Sequence, residues 1–152
     1  MRIQVRPIDE VSFRPYGRIF RAPTSGPLAE TRGFSYWSDV ASYEIEGATE
    51  IGWCVVRAHD EPIDWFERHD RTPEILIPVD AAVVLPVQRE DGETVEAFRV
   101  EVGEAVILDS GVWHSACLPA DRDEASYFVI FRRGTPSEDV VKTAVSEFMV
   151  EL

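Results

Sequence analysis

The stretch Ile63-Asp64-Trp65-Phe66-Glu67-Arg68-His69-Asp70-Arg71-Thr72-Pro73-Glu74-Ile75-Leu76-Ile77-Pro78 holds two short apolar-rich runs, 63–69 and 74–78, split by a polar turn containing proline. Short runs rich in Ile, Trp and Phe, bounded by Asp, Thr and Pro, read as β-strands. In an extended strand, residues two apart face the same side, so Glu67 and His69 point together while Arg68 faces away. Beyond the turn, Glu74 opens the next strand and can return a carboxylate to the same spot.

The pattern repeats outward in both directions. Strands are predicted at 2–6, 17–21, 33–38, 51–58, 82–88, 95–101, 104–108, 112–117 and 126–133, bordered by Gly, Pro, Asp and Ser. The pair 82–88 and 95–101 flanks Arg89-Glu90-Asp91-Gly92-Glu93, a hairpin loop with Asp-Gly at its tip. This many strands in 152 residues predicts an all-β barrel or sandwich forming one domain, residues 1–152. The Pro- and Gly-containing segment 22–32 reads as a loop within it. One segment departs from the pattern. Thr135-Pro136-Ser137-Glu138 has the form of a capping box, and Val140, Val141, Ala144, Val145 and Phe148 recur at helical spacing. They predict a C-terminal amphipathic helix over 136–147, packed on the outside of the barrel.

Composition narrows the function classes. With 45% hydrophobic and 28% charged residues the chain is of globular type. Its formal net charge of -13 repels phosphate backbones and argues against nucleic acid. An anionic small molecule would therefore need local arginines to bind. No run approaches the roughly 18 apolar residues of a membrane span, so no membrane partner is expected. The N-terminal MRIQVRPIDE lacks the apolar stretch of a signal peptide, which makes the cytoplasm the expected compartment. Cys54 and Cys117 each lie in an apolar stretch and read as reduced core thiols.

Of the three histidines, His59 sits in the polar turn Ala58-His59-Asp60-Glu61-Pro62 and reads as an exposed loop residue. His69 and His114 have different contexts. The spacing His69-x4-Glu74 resembles the first cupin motif, with Glu67 in the place of that motif's first histidine. Gly103-x5-Asp109-x-Gly111-x2-His114 resembles the second, with Asp109 where proline is common. The resemblance implies a cupin-type double-stranded β-helix barrel (jelly roll) whose pocket gathers Glu67, His69, Glu74 and His114. Two imidazoles and a carboxylate suit a divalent metal such as Zn, Mn, Fe or Ni, with open positions for substrate. Glu67 is then a fourth ligand, an acceptor for an imidazole N–H, or a general base. The alternative is a metal-free polar pocket.

The chain as a whole resembles the ureidoglycolate lyase family of cupin-fold enzymes. The likeness runs through Phe13-Arg14-Pro15-Tyr16-Gly17, Glu67-Arg68-His69, Ile77-Pro78, Ala97-Phe98, Gly111-Val112-Trp113-His114 and Arg133-Gly134. It implies cleavage of ureidoglycolate to glyoxylate and urea in allantoin and purine breakdown, with homodimers common. Glu67, His69 and His114 become the candidate catalytic groups: Glu67 or His69 as base, His114 as acid. Arg133 or Arg68 becomes the candidate for the substrate carboxylate. The departures fall among site residues. Glu74 replaces a glutamine, Ser115 a histidine, and Arg132 an aspartate. Tyr127 replaces an aspartate at the head of the last barrel strand, where it would meet substrate. Gly33-Phe34-Ser35-Tyr36-Trp37 replaces an asparagine-containing strand. Competing readings are a metal-dependent cupin isomerase or dioxygenase acting on a sugar or keto acid, and a non-catalytic small-molecule-binding cupin.

Overall fold

A computed structural model describes residues 1–89 and 92–151. In chain order the elements are β1 (Arg2–Pro7), α1 (Glu10–Phe13), β2 (Gly17–Arg21), β3 (Ala29–Glu30), β4 (Ser35–Tyr36), β5 (Thr49–Arg57), β6 (Ile63–Arg68) and β7 (Glu74–Pro78). There follow β8 (Val83–Gln88), β9 (Val95–Val100), β10 (Glu104–Leu108), β11 (Trp113–His114), β12 (Leu118–Pro119), β13 (Glu124–Arg132), α2 (Thr135–Glu138) and β14 (Val141–Glu151). Nearly all the predicted strands form. Two fall short in extent: of 33–38 only β4 is extended, in a small hairpin with β3, and of 112–117 only β11. The β8–β9 hairpin forms in register, but Glu90 and Asp91 at its predicted tip lie outside the described residues.

Two sheets build the barrel. One has the order β11-β6-β14-β1-β9-β8-β12, and β11 also pairs with β8, so this sheet curls back on itself. The other has the order β2-β10-β7-β13-β5. Leu76, Val106, Leu108, Val129 and Phe131 from the smaller sheet meet Val83, Leu85, Val87, Phe98 and Val100 from the larger in one buried core. Phe13, the last residue of α1, and Tyr16, just beyond it, both pack edge-on against Phe98 with ring centroids 5.3 and 5.8 Å away. Burying each such ring contributes roughly 1.5–3 kcal/mol. The turn after Tyr16 needs glycine. Gly17 has φ 147°, and a Cβ there would lie 1.9 Å from the Ile107 carbonyl oxygen.

The C-terminal helix is corrected by the structure. Only one turn forms, α2; its N-cap is Gly134 at φ 87°, and no side chain caps it. Thr135 Oγ1 instead donates to the Arg132 carbonyl, so the capping box is not made. Residues 141–151 form β14, antiparallel to β6 and parallel to β1. Two physical causes override the helical spacing. β6 and β1 would otherwise expose unpaired backbone edges, and Val141, Thr143 and Val145 favour extended structure. A register shift between Ala144 and Phe148 also interrupts the two-residue alternation, which makes a bulged strand look helical in sequence.

Candidate active site

The cupin-like spacing works through strand register. His114 on β11 lies opposite Glu67 on β6, and Glu67 in turn lies opposite Lys142 on β14. Glu74, first residue of β7, comes from the facing sheet. The turn before His114 is held to the other motif directly: Gly111, at φ 84°, donates its N–H to the His69 carbonyl at 2.7 Å. The Glu67, His69 and His114 donor atoms all lie within 4.8 Å of one another. The His69 and His114 rings are 5.3 Å apart, and Phe131 meets His69 edge-on at 5.8 Å.

Glu74 Oε2 sits between the imidazoles, 3.2 Å from His69 Nε2 and 2.9 Å from His114 Nε2. Each imidazole has its other nitrogen tied to a backbone carbonyl. His69 Nδ1 is 2.7 Å from the Asp139 oxygen, and His114 Nδ1 is 3.0 Å from the Val112 oxygen. With Nδ1–H donated in this way, both Nε2 atoms face Glu74. Burial alone would raise the Glu74 carboxyl, but the charge and contact of His114 and then of His69 hold it down at about 2. Burial works equally to lower the imidazoles, yet Glu74 prevails: His69 rises to about 9, and His114 is also raised. Without a metal, Glu74 is ionised and His69 is an imidazolium near neutral pH, and the same carboxylate favours the protonated form of His114.

The cluster forms part of the wall of a cavity of about 420 Å³ that also meets Glu50, Cys54, Ser115, Tyr127 and Lys142. Tyr127 is buried on β13, and burial beside the Cys54 and Cys117 thiols pushes its phenol pKa up, so it stays protonated. Both thiols are free, as expected of reduced core cysteines. Arg68 turns away, stacking on Trp113 at 4.6 Å and pairing with Asp70. Arg133 is exposed at the end of β13 and is not among the residues lining this cavity. His59 is exposed in its turn, as the sequence predicted.

Two residues at the site escape a reading of the sequence. Asp139 follows α2; its carbonyl orients His69, and its carboxylate accepts from the N–H groups of Asp70 and Arg71 at 3.1 and 2.9 Å. It thereby fixes the turn between the two halves of the first motif. Lys142 lies on the strand that its spacing disguised as a helix. A position six residues beyond Pro136 carries no sequence signal for either role until that strand is paired with β6.

The chain belongs to the ureidoglycolate lyase family, whose model matches residues 1–151. The family defines an enzyme of lyase or hydrolase type on a cupin barrel. Among curated proteins none matches the chain. Similar solved structures include the WlaRB TDP-quinovose 3,4-ketoisomerase from Campylobacter jejuni, with 12% identity and a TM-score of 0.49 over 65% of this chain and 71% of that one. A Bacillus subtilis oxalate decarboxylase mutant matches with 14% identity and a TM-score of 0.43 over 62% of this chain, which spans only 24% of that one. An oxalate oxidase in complex with glycolate matches with 14% identity and a TM-score of 0.42, over 81% and 76% of the two chains. No helix among the described residues is long and apolar enough to cross a membrane.

Proposed function

We propose that this protein is a ureidoglycolate lyase-like enzyme, cleaving ureidoglycolate to glyoxylate and urea or acting on a related small hydroxy or keto acid. The observation behind this reading is the convergence of Glu67, His69, Glu74 and His114 on one cavity in a chain of that family. The reaction asks for one base and one acid. Glu67 takes the proton of the substrate hydroxyl as the carbon–oxygen double bond forms. The carbon–nitrogen bond breaks, its electron pair stays on the urea nitrogen, and an imidazolium proton from His114 completes the urea. Glu74 stays ionised throughout and favours the protonated form of both imidazoles, from which His114 gives its proton. Tyr127 contributes a neutral phenol to the cavity wall.

The same residues fit a divalent ion. Glu74 Oε2 and His114 Nε2 are buried and make no aligned hydrogen bond, although they stand 2.9 Å apart and Oε2 is 3.2 Å from His69 Nε2. Backbone-anchored Nδ1–H groups with Nε2 atoms turned to one point are the arrangement of metal-ligating histidines. His69, Glu74 and His114, with Glu67 as a fourth donor, would hold the ion. When bound it would draw together the substrate carboxylate and hydroxyl and lower the hydroxyl's pKa. The test is direct. Purified protein is incubated with ureidoglycolate, and glyoxylate and urea are quantified separately. Equimolar release above the uncatalysed rate supports the reading; no release, with or without added Zn, Mn, Fe or Ni, rejects it.

A further inference from the structure

We infer that Lys142 is the residue that recognises the substrate's carboxylate, which makes this cavity selective for small anions; the inference rests on the reading above. Three carboxylates, Glu50, Glu67 and Glu74, line the cavity, both imidazoles are already engaged by Glu74, and the chain as a whole carries -13. A small carboxylate entering such a site needs a fixed positive charge. Lys142 supplies the single lysine or arginine among the lining residues. Glu50 accepts from the Gly134 N–H at 3.0 Å and, among the described residues, forms no ion pair with Lys142.

Register places Lys142 usefully. His114, Glu67 and Lys142 are directly paired positions on three adjacent strands, β11, β6 and β14, and all three line the cavity. Directly paired side chains on one face of a sheet stand about 5 Å apart at Cβ. Acid, base and cation thus form one row across the sheet, on the scale of a two-carbon acid bearing a hydroxyl and an amide nitrogen. The ammonium is also held in place without being used up. Lys142 Nζ lies 4.4 Å from the centroid of the Trp65 ring, and among the described residues it makes no ion pair. A cation resting on an aromatic face keeps its N–H donors for an incoming anion. Trp65 is two residues before Glu67 on the same face of β6, so the strand that carries the base also steers the cation. The exposed Arg133 and the stacked Arg68 have no comparable access.

The test separates anion recognition from turnover. Glyoxylate and its neutral amide are titrated into wild type, Lys142→Met, Lys142→Arg and Arg133→Met, with binding followed by tryptophan fluorescence and by calorimetry. Loss of a charge-assisted contact should weaken glyoxylate binding about 10- to 100-fold in Lys142→Met, with partial recovery in Lys142→Arg. The amide should bind Lys142→Met and wild type alike, and Arg133→Met should bind glyoxylate as wild type does. With ureidoglycolate, Lys142→Met should raise KM more than it lowers kcat. Absence of glyoxylate binding by wild type, equal binding by Lys142→Met, or loss confined to Arg133→Met would each overturn the assignment. Lys142-dependent glyoxylate binding without ureidoglycolate turnover would support the anion site and reject the lyase reading.

Discussion

Replacing Glu74 by glutamine in metal-stripped protein should destabilise it by an amount that depends on pH in a defined direction. In the folded chain the Glu74 carboxyl is held at about 2 against 4.5, and His69 at about 9 against 6.5. At about 1.4 kcal/mol per pH unit, each displacement corresponds to about 3 kcal/mol. Against burial, the Glu74 displacement arises first from His114 and then from His69, so it overlaps the His69 displacement and the two are not added. The depressed carboxyl makes this stabilisation present above pH 4.5 and lost as pH falls toward 2. The raised imidazole makes it complete below pH 6.5 and lost as pH rises through 9. The full effect therefore lies between pH 4.5 and 6.5. Above it, a neutral His69 with Nδ1–H on the Asp139 carbonyl turns a lone pair toward the carboxylate, and a glutamine amide can donate to that lone pair where Glu74 cannot. Urea unfolding in EDTA, followed by tryptophan fluorescence, should give a Glu74→Gln deficit of about 3 kcal/mol near pH 5.5. The deficit should shrink through neutrality and vanish or reverse near pH 9.5. A constant deficit across that range would refute the imidazolium–carboxylate account.

Protein purified without a histidine tag should carry close to one divalent ion per chain by elemental analysis, and Glu74→Gln and His114→Ala should lose it; full activity in an ion-free wild type would reject the metal fit. Glu67→Gln should lower kcat about 100- to 10,000-fold, as expected for loss of a general base, while the urea midpoint stays put. Retention of kcat would remove Glu67 from the chemistry. Gly17→Ala should destabilise the fold by about 3 kcal/mol or more, because a Cβ there meets the Ile107 carbonyl at 1.9 Å and the backbone has positive φ. A thermal midpoint equal to wild type would contradict that contact.

Much of the barrel and the centre of its site was legible because both depend on short-range periodicity. Alternation and turn residues mark β6, β7, β8, β9 and β10 one at a time. The pairing of Glu67 with His69 follows from the two-residue repeat of a strand, and Glu74 needed only the turn at Pro73. The second motif was readable for a similar reason: Gly103 and Gly111 both take positive φ, at the turns that open and close β10. Helical spacing failed at β14 because a bulged strand between two open edges has no local signature. Pairing with β6 and β1 supplies its stability, and neither partner is near it in sequence.

The amino-acid sequence by itself determined the strand-rich chain, the anionic field and the four residues of the centre. Each of these is a property of neighbours along the chain. Tertiary structure alone decided which nitrogen of each imidazole faces the cavity, since that depends on the Asp139 and Val112 carbonyls. It alone set Glu74 between the rings. It also turned Arg68 onto Trp113, left Arg133 outside the cavity wall, and brought Lys142 into line with Glu67. Those outcomes rest on hydrogen bonds and register between segments as much as 75 residues apart, Glu67 to Lys142, and only the closed sheet specifies them.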